Sequence, residues 1–355
     1  SPTSKPPSRI LPETTVIIMT FRSFFYLLKN LSPSEYLFVI FAADDKIKAG
    51  GFCVMKIDVQ KITSQQDGLE LEVAVVKPQS PAVGVVVFSH GMAEHKERYF
   101  DFIKYLSQHG FACVIHDHRG HGQSVKSESD LGYFYTQNIN YIVDDLHQVV
   151  GFAKSLFPNL PIMLFSHSMG TLVSRCYLKK YDGEIDKLVL CGPPTENKMA
   201  GLAICIAHLS QLFHGKKHAN KMLNKLTFGS YNKGLEAENA WICANEETVK
   251  KYNEDKLCGF IFTTNGFINL FKLMKQAFNK KGWTVTHADL PIYVIAGEED
   301  PVIQNQKAFD GLVKFLRDRG YNDINSKLYA GMRHELLNEI DNAKVYSDVL
   351  KFLVK

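Results

Sequence analysis

Ser168 stands in the stretch Phe165-Ser166-His167-Ser168-Met169-Gly170, where an apolar run ends and a helical pattern starts. A serine hydroxyl is a poor nucleophile unless a base removes its proton and an acid orients that base. The corner is one substitution from G-x-S-x-G, because Ser166 replaces the first glycine. By itself the motif is a weak signal. Its context is specific: a buried strand must end at the serine and a helix must start just after it. "PIMLFSHS" followed by "MGTLVSRCYLKKY" meets both conditions. Strand and helix pass close together at such a corner, so positions two before and two after the serine must be small. Gly170 and Ser166 satisfy this. A structural serine in a strand-to-helix turn is the plainer alternative.

The acid and base should follow in the order Ser, Asp or Glu, His, each in a loop after a strand. "YVIAGEEDPV" offers Glu298, Glu299 and Asp300 directly after an apolar run, and "GMRHELLNE" offers His334 before the last helix. Asp300 is expected to orient His334, and His334 to take the Ser168 proton. Three adjacent acids leave the choice among them open. His287 is the rival base, but it precedes a strand and so belongs to the other edge of a sheet. An oxyanion needs two backbone N–H donors. Met169 opens the helix after Ser168, and Met92 follows the strand end His90-Gly91 in "VVVFSHGMAEH". Gly91 would let that loop turn toward the serine, His90 would brace it, and Gly170 would allow the close packing.

These loops require a scaffold. "AVGVVVFSHG", "FACVIHDH", "PIMLFSHS", "IDKLVLCGPP" and "LPIYVIAGEED" are continuous apolar runs, as expected of strands covered on both faces. Helical patterns alternate with them. In "YIVDDLHQVVGFAKSLF", Ile142, Leu146, Val149, Val150 and Ala153 share one side. This rhythm predicts a mostly parallel α/β sheet with right-handed crossovers. It stops between residues 194 and 286, which read as a helical insertion, and resumes to the end. The expected organisation is a core of residues 55–193 and 287–355, an insertion at 194–286, and an N-terminal extension at 1–54. The proline-rich start of that extension reads as disordered. Its apolar part is interrupted by Arg22, Lys29 and Ser32-Pro33-Ser34-Glu35, too often for a membrane span.

The composition excludes several classes. With 41 basic and 37 acidic residues the net charge is +4, too mild for a nucleic-acid binder, and no Lys/Arg run supports one. The seven cysteines are widely spaced without C-x-x-C. They read as small buried hydrophobes in a reducing compartment, not as a disulfide framework or a metal site. The expectations are therefore a cytoplasmic protein, no metal and no organic cofactor.

Several motifs, in order, resemble those of monoacylglycerol lipases and related bacterial lysophospholipase-like serine hydrolases. They are His90-Gly91-x-x-Glu94-His95-x-x-Arg98-Tyr99, Asp117-x-Arg119-Gly120-His121-Gly122-x-Ser124, "YIVDDL", "HSMG" and "GMRHELLNE". The resemblance runs from about residue 60 to residue 355. It implies the α/β-hydrolase fold: an eight-stranded, mostly parallel sheet flanked by helices, with a helical cap over an acyl pocket. It also implies hydrolysis of a lipid or other carboxylic ester. By motif position it carries Ser168, Asp300 and His334 over as the triad, with Met92 and Met169 as oxyanion donors. The Asp117–Ser124 motif is expected to hold a loop. In the cap, Leu202, Ile204, Ile206, Leu209, Leu212 and Phe213 could line an acyl tunnel, touch a membrane peripherally, or pack the cap onto the core. The departures are Ser166, the cap sequence and residues 1–54.

Overall fold

The β-branched and apolar runs form the centre of one sheet. In this computed structural model, residues 55–355 are described, so every expectation for residues 1–54 lies outside the described residues. The chain divides into Ser1–Ile57 and Asp58–Lys355, and the architecture below is that of the second unit. Its strands are β1 (Ile57–Thr63), β2 (Glu70–Val76), β3 (Gly84–Ser89), β4 (Phe111–His116), β5 (Ile162–His167), β6 (Lys187–Cys191), β7 (Ile292–Gly297) and β8 (Ile324–Tyr329). They form an eight-stranded sheet in the order β1-β2-β4-β3-β5-β6-β7-β8. β2 runs antiparallel to β4, and the pairs from β4 across to β8 are parallel. Every residue of β3, β4, β5 and β7 is buried, which is why these segments read as unbroken apolar runs. β1 and β8 close the sheet and carry exposed positions, as edge strands do.

Helices α1 (Phe100–Gln108), α2 (Asn140–Leu156) and α3 (Met169–Tyr181) follow β3, β4 and β5. The predicted stripe of α2 is buried, joined by Val143. Between β6 and β7 the chain makes α4 (Ala200–His214), α5 (Lys221–Phe228), α6 (Glu246–Glu254) and α7 (Thr264–Ala277), with one isolated bridge, Ala219 to Thr263, as the only extended pairing. α7 packs on both α4 and α3, so it anchors this segment to the sheet domain. Thr263 caps it by accepting from Gly266 N–H at 3.1 Å. α8 (Gln306–Arg319) and α9 (Asn342–Val354) complete the chain. Asn305 caps α8, and Gly320, with φ of 111°, ends it in the left-handed region.

Parallel register decides where the loops emerge. Ser89 pairs with Ser166, His167 with Cys191, Cys191 with Ile295 and Gly297 with Tyr329. The segments after β3, β5, β6, β7 and β8 thus leave the same carboxyl edge, where ligands bind in open α/β sheets. The Asp117–Ser124 segment is held by its own side chains. Asp117 accepts from Lys96 N–H at 2.8 Å and from Lys96 Nζ and Gln123 N–H at 2.9 Å. Arg119, fully buried, pairs with Asp145 and Asp67.

The cysteine expectation needs one correction. Cys113, Cys176, Cys191, Cys243 and Cys258 are buried free thiols, but Cys205 is exposed. It lies on α4, where the apolar residues point both inward and outward, so an apolar neighbourhood in sequence does not mean burial there.

Candidate active site

Ser168 sits between β5 and α3 with φ of 50° and ψ of −119°. Positive φ at a non-glycine residue costs on the order of 1–3 kcal/mol and persists only where surrounding contacts hold it. Here Ser168 N–H donates to the Cys191 carbonyl at 3.0 Å. Its own carbonyl accepts from the Thr171 N–H at 2.9 Å and the Thr171 hydroxyl at 2.7 Å. Gly170 is required by close approach: a Cβ there would overlap the Ser89 carbonyl. Ser166 is fully buried, and its hydroxyl bonds to that of Ser174 in α3. The extra hydroxymethyl group thus fastens the strand to the helix instead of obstructing the corner.

His334 Nε2 lies 2.8 Å from Ser168 Oγ, and His334 Nδ1 lies 2.8 Å from Asp300 Oδ2. Asp300 Oδ1 accepts from Val302 N–H at 2.8 Å, which fixes the carboxylate. Asp300 and His334 are both buried, whereas Glu298 and Glu299 are exposed. Among the three adjacent acids only Asp300 therefore meets His334. His287 bonds through Nδ1 to the Ile185 carbonyl at 3.2 Å, ahead of β7, and is not part of this chain of contacts.

The loop after β3 closes the other side. A Cβ on Gly91 would come within 3.1 Å of Ser168 Cβ, so glycine permits this approach. Gly91 N–H donates to Glu94 Oε1 at 2.6 Å. The Ala93 carbonyl accepts from Gly259 N–H at 2.9 Å and the Tyr252 hydroxyl at 3.0 Å. The N–H groups of Met92 and Met169 donate to no protein acceptor among the described residues. His90 joins this loop to the segment after β4: its Nδ1 bonds to the Gly91 carbonyl at 2.8 Å, and its Nε2 accepts from His118 N–H at 2.9 Å.

Beneath lies a group of four buried imidazoles: His90, His116, His118 and His121. Ring centroids are 4.6 Å apart for His90–His118 and His116–His118, and 5.2 Å for His90–His121. Burial, with mutual repulsion, holds all four below the ordinary histidine range, His116 and His121 down to about 3. They are neutral packing elements. Sequence reasoning also passes over His167, Glu94, Arg98 and Glu335 as a connected group. Its traces are the His-Gly-x-x-Glu-His-x-x-Arg-Tyr spacing, His167 in "HSMG" and Glu335 in "GMRHELLNE".

A cavity of about 500 Å³ opens over Ser168 and His334. Leu202, Ile206, Leu223, Leu270, Phe271 and Met274 form much of its apolar wall, while Asn197, Glu238, Asn239 and Gln304 supply polar groups. No lysine or arginine lines it. The apolar residues of α4 divide by role. Leu202 and Ile206 face the cavity, Ile204 packs against the core, and Leu212 and Phe213 are 80% and 77% exposed. One group of three side chains among the described residues has metal-ligand chemistry: His95, Asp255 and Cys258, with donor atoms within 4.8 Å of one another. His95 Nε2 bonds to Asp255 Oδ2 at 2.9 Å, while His95 Nδ1 has no hydrogen-bond partner among the described residues. No helix among the described residues is long and apolar enough to cross a membrane.

The chain resembles proteins of known activity across most of its length. It is 27% identical over 288 residues to the monoacylglycerol lipase of Mycolicibacterium smegmatis, covering 81% of this chain and 94% of that one. It is 24% identical to human monoglyceride lipase, covering 77% and 82%. It is 22% identical to the probable lysophospholipase L2 of Haemophilus influenzae, covering 76% and 83%. Among solved structures, a thermostable carboxyl esterase from Bacillus coagulans superposes with a TM-score of 0.77 at 23% identity, covering 84% and 97%. The monoglyceride lipase of Saccharomyces cerevisiae superposes at 0.61 and 20% identity, covering 85% and 96%. These likenesses establish the α/β-hydrolase fold. Residues 80–341, well over half of the chain, match the family described as serine aminopeptidase, S33, and the chain therefore belongs to that family of serine hydrolases.

Proposed function

We propose that the protein hydrolyses the ester of a single-chain lipid, with monoacylglycerol as the lead substrate, through a Ser168–His334–Asp300 triad. The observation that carries this reading is the unbroken pair of 2.8 Å contacts from Ser168 Oγ through the imidazole to Asp300, opening onto an apolar cavity. His334 Nε2 accepts the Ser168 proton as Oγ attacks the ester carbonyl. The tetrahedral oxyanion receives the N–H groups of Met92 and Met169. Asp300 holds Nδ1–H, so the ring presents its basic nitrogen to the serine and the imidazolium is stabilised. His334 then protonates the departing alcohol. Water, deprotonated by the same nitrogen, releases the fatty acid from Ser168. Every proton moved belongs to these groups or to water, so the cycle calls on no cofactor.

The cavity argues for the substrate class. Its apolar wall suits one acyl chain, and its polar groups suit a glycerol headgroup. A phosphate headgroup would want a cation in the lining, and none is there. Lysophospholipids and short or aryl esters are therefore secondary substrates. In this reading residues 194–286 act as a cap on the core formed by 55–193 and 287–355. The exposed Leu209, Leu212, Phe213 and Leu226 would meet the lipid aggregate that supplies the substrate.

A fluorophosphonate probe tests the nucleophile. The wild type should label and Ser168→Ala should not; equal labelling of both proteins rejects the triad. Rates on monoacylglycerols of rising chain length, lysophosphatidylcholine, p-nitrophenyl butyrate and an aminoacyl anilide then rank the substrates. Fastest turnover of the anilide would move the reading to a peptidase.

A further inference from the structure

His167, the residue before the nucleophile, faces two groups that can only accept hydrogen bonds. Its Nδ1 lies 3.1 Å from Glu94 Oε1, and its Nε2 lies 3.3 Å from the backbone carbonyl of His334. A neutral imidazole has one N–H and could satisfy only one of them. Glu94 leaves little room for the alternative of a protonated carboxyl. Its Oε1 already receives Gly91 N–H at 2.6 Å and the Tyr99 hydroxyl at 2.8 Å, and its Oε2 receives Arg98 at 3.0 Å. A carboxyl proton on either oxygen would point at a donor.

Charge counting agrees. Arg98 forms a two-pronged pair with Glu335 at 2.5 and 2.6 Å. Glu94, Arg98, Tyr99, His167 and Glu335 border a narrow space of about 10 Å³, and Glu94, His167 and Glu335 also reach the wall of the large cavity. Charged groups packed this closely at low exposure offset the cost of burial chiefly by pairing with one another. Two carboxylates against Arg98 alone leave one negative charge over; an imidazolium at His167 cancels it. The other titratable groups facing His167 are Tyr99, with ring centroids 6.4 Å apart, His334 at 4.7 Å, and Cys191, its partner across β5 and β6. Burial pushes the Tyr99 phenol and the Cys191 thiol upward, so both stay neutral.

We infer that His167 is a doubly protonated positioning residue, whose imidazolium ties the loop of the base to the loop of the oxyanion donors. The inference rests on the triad reading. Its bonds complete a ring: Glu94 to His167, to the His334 carbonyl, along the chain to Glu335, through Arg98 and back to Glu94. Through Gly91 N–H the same carboxylate registers the Met92 loop. Asp300 orients the imidazole of His334, and His167 fixes its backbone. Burial opposes the charge on His167, but the hydrogen bond and charge of Glu94, aided by Glu335 and the His334 carbonyl, raise its pKa above the ordinary value. The ring is therefore intact at lower pH and opens as pH rises through that raised pKa.

Two measurements test this. In protein labelled with 15N-histidine, the His167 signals, assigned by their loss in His167→Gln, should show both ring nitrogens protonated at neutral pH. One bare nitrogen overturns the inference, and this readout needs no activity. On p-nitrophenyl butyrate, His167→Gln should lower kcat between about ten- and a hundred-fold with KM within about two-fold. It should also remove an alkaline limb of the pH profile and move the acid limb toward higher pH by about one pH unit, because a positive charge beside His334 is gone. Glu94→Gln should reproduce the kinetic result and release the His167 proton. A His167→Gln profile that keeps the wild-type shape overturns the inference even if the rate falls. Failure of the wild type to label with a fluorophosphonate would count against the triad, and would leave the NMR result to decide the state of His167.

Discussion

The carboxyl edge of the sheet and the helical segment between β6 and β7 are built on opposite plans. At the edge a set of polar groups is withdrawn from solvent and partnered: Asp300, His334, Glu94, Arg98, Glu335 and His167 form one connected network. On α4 only Ala200, Ala207 and Ser210 are fully buried, and several of its large apolar side chains face solvent. Low-dielectric surroundings make the edge polar bonds strong and intolerant of a missing partner. The α4 surface makes few directional bonds and can bear substitution. The chemistry of the proposed reaction therefore belongs to the sheet, and the choice and capture of substrate to the insertion.

The largest expected effect breaks the edge at one atom. Asp300→Asn keeps the shape but offers His334 the wrong partner, and kcat should fall about 10³- to 10⁴-fold. Glu299→Gln, on the exposed neighbour, should leave kcat within about two-fold; steady-state rates on a soluble ester separate the two. The reverse pattern would reassign the acid.

The second effect reads the buried histidines under the Gly91 loop. The folded protein holds them below their unfolded value near 6.5, His116 and His121 down to about 3, so for these two the unfolded chain binds more protons between those bounds. Their contribution is complete above about pH 6.5 and is lost as pH falls, each such histidine costing about 1.4 kcal/mol for every pH unit crossed between those bounds. Urea midpoints should drop steeply from pH 7 to pH 4.5. His116→Leu, which removes an imidazole with no hydrogen-bond partner in the structure, should flatten that slope.

The third prediction sharpens the contrast from the insertion side. Leu212→Ser with Phe213→Ser should reduce turnover of monoacylglycerol presented in vesicles by about ten-fold, yet change p-nitrophenyl butyrate hydrolysis little. Equal loss on both substrates would mean that these side chains shape the cavity, not a lipid-facing surface. The smallest effect is at the corner. Ser166→Gly deletes the bond to Ser174 and should cost about 1 kcal/mol of stability by urea unfolding, with activity largely intact.

Local patterns carry the sheet, the strand-to-helix corner and the order of a serine, a group of acids and a histidine, because each depends on residues within one strand and the turn after it. β-Branched runs report burial on both faces, and a serine at such a corner has few other uses. The same patterns are mute about His167. Its role depends on Glu94 and on the His334 carbonyl, which are 73 and 167 residues away in the chain. They are ambiguous about Glu298, Glu299 and Asp300, three acids in a row that differ in exposure. They cannot divide the apolar residues of α4, because a helix that is apolar on several faces has no stripe to mark which side the core will cover.

Sequence alone thus determined which groups could react and in what order the sheet would deliver them, since strand burial and turn chemistry are local properties. Only the tertiary structure decided which acid meets His334, which acceptors His167 faces, and which leucines line the cavity and which face water. Those outcomes depend on distances between segments far apart in the chain, and no local pattern encodes such distances.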